Sequence, residues 1–372
     1  MENGFGRLAI FVSFSGPGGV EKMMVNLCRE LVRRGVGVDL LLVRAQGYFC
    51  EQLPPGVVVH RFRARQTRAA LFELVAYLRR NRPRVLLAVK DRAGRTAWLA
   101  RKISRVPTRL VLRIGTTVSA ALEGKSRFRK LAWYWPMRLI YPGFDQIIAV
   151  SQGVADDLRQ VARLRPELLR VVANPVLTPE MEGLAEAATG HPWADSKQEA
   201  LVLGIGRLTR QKDFETLIRA FALVVRQQPA RLLILGEGRE RLRLERLIVA
   251  LGLTDSVQLP GFCENPYAYL RRADLFVLSS RWEGSPNVLT EALGLGVPVV
   301  ATDCPSGPRE ILRNGRVGPL VAPGAVEELG RRMAAVLSQP PDRAELPAAV
   351  AAYRVSCSVD DYLALLWPPV EK

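Results

Sequence analysis

Short apolar runs alternate along this chain with longer stretches whose apolar positions recur every three to four residues. The runs Leu8–Phe14 (LAIFVSF), Val36–Val43, Val57–His60, Val85–Val89, Arg109–Ile114 and Gln146–Val150 have the length and apolar character of strands buried in a parallel sheet. Between them, helical spacing runs from about Val20 to Arg34, over Arg68–Arg80 and over Arg95–Ser104. The alternation breaks after Ala173–Val176 (ANPV). Residues Thr178 to Glu199 are rich in Pro, Gly, Ala and charge and read as an interdomain linker. A second series follows, with strands at Ala200–Ile205, Arg231–Leu235, Ser256–Leu259, Asp274–Leu278, Val297–Ala301 and Gly318–Val321. Its helices run from about Phe214 to Arg226, over Arg241–Leu251 and onward from Pro286. The pattern predicts an α/β protein of two Rossmann-like, doubly wound domains, residues 1–175 and 176–354, facing each other across a cleft. Sheets of this kind bind ligands at the carboxyl ends of their strands, so the loops there are where chemistry is expected.

One such loop is EGSPNVLTE, from Glu283 to Glu291. Pro286 suits the first position of a helix and Ser285 its N-cap. That arrangement leaves the amides of Asn287, Val288 and Leu289 without intrahelical partners and aims the positive end of the helix dipole at the loop mouth, as a phosphate site requires. Taken alone, the stretch reads equally as two solvated glutamates and a capped helix. Three more turns follow strands. SGPGGVE (Ser15–Glu21) supplies Gly18 and Gly19, which let backbone approach a diphosphate; it is not the dinucleotide fingerprint GxGxxG, because position 21 is Glu. GIGRLTRQKDF (Gly204–Phe214) carries Gly206 and the cations Arg207 and Lys212, and GEG carries Gly236 and Gly238.

Composition narrows the class. The 372 residues, 48% hydrophobic, suffice for two cores. No apolar run approaches 18 residues, and Leu8–Phe14 is too short for a span and lacks a signal-peptide cleavage region, which suggests a cytoplasmic protein with peripheral membrane contact at most. Five scattered cysteines without a CxxC pair, two histidines and no DxD point to neither a disulfide framework nor a metal site. The net charge of +17 is uneven: residues 1–175 hold 31 Lys and Arg against 12 Asp and Glu, the remainder 22 against 24. Such a basic half attracts anionic lipid, phosphorylated partners or nucleic acid, or is a solvated Arg-rich surface. Nucleic acid is disfavoured, since no binding motif accompanies the charge.

At this point a family resemblance emerges. GRLxxxKDF (Gly206–Phe214), LGEG (Leu235–Gly238), ADLFVLSSxxEGSPNVLTEA (Ala273–Ala292), GVPVVATD (Gly296–Asp303), GPREIL (Gly307–Leu312), VSQGVADDL (Val150–Leu158) and the N-terminal GGVE together resemble the retaining glycosyltransferases of family 4, which have the GT-B fold. The resemblance implies a sugar-nucleotide donor, UDP-linked by the SGPREIL stretch although GDP-mannose stays open, and no further cofactor or metal. It implies that Glu283 contacts hydroxyls of the donor sugar and Glu291 the ribose hydroxyls. The turn over Ser285, Pro286, Asn287, Val288 and Leu289 would hold the diphosphate, with Arg207 and Lys212 on its other side. It also implies that a closing helix around Val359–Trp367, within about 355–372, crosses back to the first domain, and that the first domain binds the acceptor.

One departure stands out. Many relatives carry a histidine after the strand corresponding to Arg109–Ile114, where this chain reads RIGTT (Arg113–Thr117). Asp91, Arg113 and Thr116, near strand ends, become the acceptor-side candidates, and His60 and His191 are read as incidental. The stretch Lys125–Arg138 (KSRFRKLAWYWPMR) interleaves basic and aromatic residues in the manner of a lipid–water interface, or of a core helix with a charged outer face. With Arg61–Arg68 (RFRARQTR) it suggests transfer to a lipid-linked or surface-glycan acceptor at the inner face of a membrane. Two other readings, a non-catalytic scaffold on the same fold and a sugar-nucleotide epimerase, are disfavoured by the intact charged set and by the shortage of histidine.

Overall fold

The computed structural model describes residues 6–14, 16, 18–45, 47–196 and 198–368; Ser15 and Pro17 of the glycine-rich turn and the last four positions of the closing segment lie outside them. The chain forms two compact units. The first runs to Val176 and resumes at Tyr353; the second is Leu177–Ala352.

Unit 1 alternates strand and helix: β1 (Leu8–Phe14), α1 (Gly19–Arg33), β2 (Val38–Ala45), β3 (Val57–Arg61), α2 (Leu71–Asn81), β4 (Val85–Val89), α3 (Asp91–Ser104), β5 (Arg109–Ile114), α4 (Val118–Ala121), α5 (Arg127–Ile140), β6 (Gln146–Ala149), α6 (Gln152–Ala162) and β7 (Leu169–Val171). The strands form one sheet in the order β3-β2-β1-β4-β5-β6-β7, every pairing parallel. Phe11, Leu86 and Leu112 face one core, which also holds Leu74, Ala97 and Met137 from helices. Leu8, Ile10 and Leu87 face the other, with Met24 and Leu27. Burial on both faces is why the central strands β1 and β4 are so apolar, whereas the edge strands β3 and β7 are partly exposed.

Unit 2 begins inside the expected linker, which is not loose. It folds into α7 (Glu180–Ala185) and α8 (Pro192–Asp195), where Met181, Ala185 and Ala194 are buried. Asn265 donates to the Leu184 carbonyl at 2.8 Å, and Arg272 pairs with Asp195 at 3.2 Å. Pieces this short bury too few apolar positions to show a period. His191 caps α8, accepting from the Trp193 amide at 3.2 Å. Then come β8 (Ala200–Ile205), α9 (Phe214–Val224), β9 (Ala230–Leu235), α10 (Arg241–Ala250), β10 (Val257–Gly261), α11 (Pro266–Arg272), β11 (Leu275–Leu278), α12 (Asn287–Gly294), β12 (Val299–Thr302), α13 (Pro308–Ile311), β13 (Leu320–Val321), α14 (Val326–Ser338) and α15 (Leu346–Ala349). The sheet order is β10-β9-β8-β11-β12-β13.

The last helix, α16 (Val355–Leu366), belongs to unit 1. Val359, Tyr362 and Leu366 are fully buried in the core that α1 covers. Each such side chain is worth about 1.5–3 kcal/mol. Arg34 holds the helix from outside, pairing with Asp360 and donating to the Ser356 carbonyl at 2.9 Å. Where the chain leaves and re-enters unit 1, the Val176 amide donates to the Tyr353 carbonyl at 3.1 Å.

Candidate active site

In unit 2 the loops after β8 and β11 meet. Lys212 Nζ lies 2.6 Å from Glu283 Oε1, with the two side chains 15% and 9% exposed. The same carboxylate oxygen accepts from Ser280 Oγ at 2.6 Å. Ser279 donates to the Lys212 carbonyl at 2.8 Å, and Gln211 to the Trp282 carbonyl at 2.9 Å, so the two loops are stitched along their length. Residues 71 apart in sequence thus become one ion pair. The stem of Lys212 runs over Gly206, where a Cβ would stand 3.1 Å from it. Arg207 is exposed, and its side chain has no ion pair among the described residues.

Gly236 and Gly238 serve the backbone. A Cβ on Gly236 would stand 2.0 Å from the Gly206 carbonyl oxygen, and one on Gly238 2.3 Å from that of Leu208. Their lack of side chain is used by the neighbouring loop, so the geometry does not require a ligand to explain it. The start of α12 also differs from expectation. Pro286 (φ −73°, ψ 101°) is the N-cap and the helix begins at Asn287, so Ser285 precedes the cap. Proline's fixed φ fits an extended cap as well as a first helical position, which is why sequence misplaced it by one. The Leu289 amide donates to the Pro286 carbonyl at 3.1 Å and is therefore engaged. Asn287 and Val288 are half-buried at the helix start, and Glu291 is 4% exposed one turn in. Gly307, at φ 91°, clamps the loop: a Cβ there would meet Pro286 and the Gly284 carbonyl within 2.9 Å. Cys304, buried beside Glu283, has its thiol pushed up to about 12, by burial first and by the Glu283 charge second. It is therefore a neutral thiol at physiological pH, unfit as a nucleophile.

Unit 1 places its candidates at the carboxyl edge of its own sheet. Gly18 is the N-cap of α1 and Gly19 its first residue. Asp91 opens α3 and is half engaged: its Oδ1 accepts from Arg95 at 2.9 Å and from Tyr141 at 2.8 Å, while Oδ2 has no hydrogen-bond partner among the described residues. Arg113 is 2% exposed, donating to Tyr362 at 3.0 Å and to Asn174 at 2.7 Å. Those two bonds tie the strand to α16 and to the chain's exit, and leave Nη1 without a hydrogen-bond partner among the described residues. Thr116 is exposed. Sequence reasoning passed over Lys90, whose φ of 76° and ψ of 154° no apolar pattern encodes. It also gave no role to Glu21, 5% exposed and 3.3 Å from Lys90. His60 lies 3.6 Å from the buried Asp39, which also takes a bond from Tyr77 at 2.5 Å, a polar knot under β2 and β3.

Two parallel-sheet units with the charged loops at their carboxyl edges define the class: the fold is that of the GT-B glycosyltransferases, shared with Anabaena HepE bound to UDP and glucose (TM-score 0.78, 22% identity, 97% of this chain and 99% of that one). Both halves match glycosyltransferase families. Residues 17–178 match the model for Glycosyltransferase Family 4, and 191–351 that for Glycosyl transferases group 1. The N-acetylgalactosamine-N,N'-diacetylbacillosaminyl-diphospho-undecaprenol 4-alpha-N-acetylgalactosaminyltransferase of Campylobacter jejuni is 33% identical over 231 residues, 62% of this chain. The alignment spans 60% of that relative's length. A lipopolysaccharide core biosynthesis glycosyltransferase of Rhizobium meliloti is 28% identical over 329 residues, 87% of each chain.

Proposed function

We propose that this protein is a retaining glycosyltransferase that moves a hexose or N-acetylhexosamine from a UDP-sugar to a lipid-linked or surface-glycan acceptor. The observation that carries the reading is the Lys212–Glu283 pair, half sunk in the loop beside the start of α12. Breaking the bond from sugar to diphosphate puts negative charge on the leaving group, and fixed donors aimed at that charge lower the barrier. Lys212 has three N–H donors, of which Glu283 takes one, and Arg207, earlier in the same loop, stands open to solvent. Glu283 keeps the ammonium in place before the donor arrives and receives donor-sugar hydroxyls afterwards, while Glu291 receives those of the ribose. The leaving phosphate then takes the acceptor proton on the face from which it departs, which retains the anomeric configuration. The two cations carry the charge, and no metal is assigned a step.

Peripheral attachment to an anionic membrane belongs to the same proposal. No helix among the described residues is long and apolar enough to cross a membrane. On α5, Phe128, Leu131, Trp135 and Leu139 are 85%, 55%, 60% and 57% exposed. Their spacing of three, four and four puts them on one stripe, with the exposed Arg127 and Arg129 beside it. At the end of β3 and just beyond it, Phe62 packs inward while Arg61, Arg63 and Arg65 are exposed, and Glu73 fastens the loop by accepting from the Arg63 amide at 2.8 Å.

The experiment is thermal stabilisation by UDP-, GDP-, ADP- and dTDP-sugars, since binding to the native state raises the midpoint. Stabilisation by UDP-sugars that vanishes in Arg207→Ala and Glu291→Ala is the expected result. Folded protein that none of them stabilises would sink the reading.

A further inference from the structure

In the seven-stranded sheet the strand order reverses between β1 and β4, and open α/β sheets bind ligands in the crevice beyond the carboxyl ends at such a point. Lys90, the first residue after β4, stands there in a backbone conformation essentially reserved for glycine (φ 76°, ψ 154°). The backbone is held from both sides: its amide donates to the Arg113 carbonyl and its carbonyl accepts from the Gly94 amide, each at 3.0 Å. The side chain reaches Glu21 at 3.3 Å while remaining 44% exposed, so one flank of the ammonium is pinned and the other is open. Glu21 lies folded over Gly18, where a Cβ would stand 2.5 Å from Oε2. A merely structural role explains little of this. Glycine at position 90 would relieve the strain, and a glutamate at the third position of a helix caps it without help from a lysine. The same edge has an unmet donor and an unmet acceptor: Arg113 Nη1 and Asp91 Oδ2 are buried atoms with no hydrogen-bond partner among the described residues.

Resting on the glycosyltransferase reading, we infer that Lys90 and Glu21 form the acceptor's seat in unit 1 and that they bind the hydroxyls of a neutral sugar, not a phosphate. Charge decides the class. Lys90 faces Glu21, and Arg95 faces Asp91 at 2.9 Å, so the first turns of both α1 and α3 already carry a carboxylate. An anion entering here meets those carboxylates. A hydroxyl, donor and acceptor at once, satisfies the ammonium and the carboxylate together. Lys90 is then a binding residue and its backbone strain is retained for that role.

The test uses the full chain, saturated with UDP, and ligand-observed NMR with n-octyl β-glucoside, β-galactoside and N-acetyl-β-glucosaminide as neutral probes and n-octyl phosphate as the anionic one. Lys90→Gly and Glu21→Gln are compared with wild type, with melting midpoints in parallel. Lys90→Gly is expected to melt at or above the wild-type midpoint, because released strain outweighs the added chain flexibility. Saturation transfer to the best-bound glycoside should fall by about fivefold or more, roughly the loss of one charge-assisted hydrogen bond, and should fall in Glu21→Gln as well. The phosphate probe should be unaffected. Glycoside signals equal to wild type in both variants, a parallel fall with the phosphate probe, or no glycoside bound by wild type would each overturn the assignment. Those outcomes leave stabilisation by UDP intact, whereas failure of the glycosyltransferase reading removes it.

Discussion

The two units share a strand order, outward from the first strand on one side and then on the other, yet they handle charge in opposite ways. In unit 2 Lys212 and Glu283 are paired and sunk, with loop backbones packed around them, while Arg207 is exposed. In unit 1 Arg113 is buried, but a row of cations stands outside: Arg61, Arg63, Arg65, Arg127 and Arg129 are all exposed. A sunk, pre-positioned charge acts strongly on one atom and is little affected by salt. An exposed field acts at range and is screened within about 8 Å at physiological ionic strength. One scaffold therefore holds a buried, paired charge in one half and an exposed basic field in the other.

The comparison breaks first at Lys212. Lys212→Ala should lower kcat on the order of 10²–10³-fold, as loss of a charge-stabilising donor does elsewhere. Steady-state transfer or donor hydrolysis measures it, and a loss under about tenfold would place the leaving-group charge elsewhere. Next comes Gly236→Ala, whose Cβ has nowhere to go. It should destabilise unit 2 by about 3 kcal/mol or more and abolish UDP stabilisation. Gly94→Ala in unit 1 meets the flexible end of the Leu112 side chain, its nearest methyl at 2.5 Å, and should cost less. Third, Phe128→Ser with Trp135→Ser should weaken sedimentation with anionic vesicles by about tenfold or more and leave UDP stabilisation unchanged. Equal sedimentation of the double variant would remove α5 from the membrane surface.

The smallest effect is shared by both units. Burial pushes the thiols of Cys28 and Cys304 from 9.0 up to about 12. Above pH 9 the unfolded chain releases those protons while the native protein keeps them, so stability falls as pH rises from 9 towards 12. The slope is about 1.4 kcal/mol per pH unit for each thiol. Denaturant midpoints at pH 8, 9 and 10 should show it, and Cys28→Ala with Cys304→Ala should flatten it.

The strands and the main helices were legible because a sheet buried on both faces must be apolar, and a helix packed on it must repeat every three to four residues. Glu283, Lys212 and Arg207 were legible as residue types placed after strands. Their meeting was not, because Lys212–Glu283 is a pairing across 71 residues that only the sheet order brings about. Gly236 and Gly238 were visible as glycines, but the backbone they touch was not. Pro286 displaced the helix start by one residue since its φ suits both positions. Lys90 was invisible, because a lysine leaves no trace in the pattern of the angle its backbone adopts.

The return of α16 to unit 1 also sets an order of birth. A ribosome delivers the whole of unit 2 before it delivers Val359, Tyr362 and Leu366, so the inserted half has all its residues while the host half still lacks a helix of its core. Until that helix emerges, Arg113 has no Tyr362 to bond and the apolar side of α1 lies partly open. The first half to begin synthesis is thus the last to be finished.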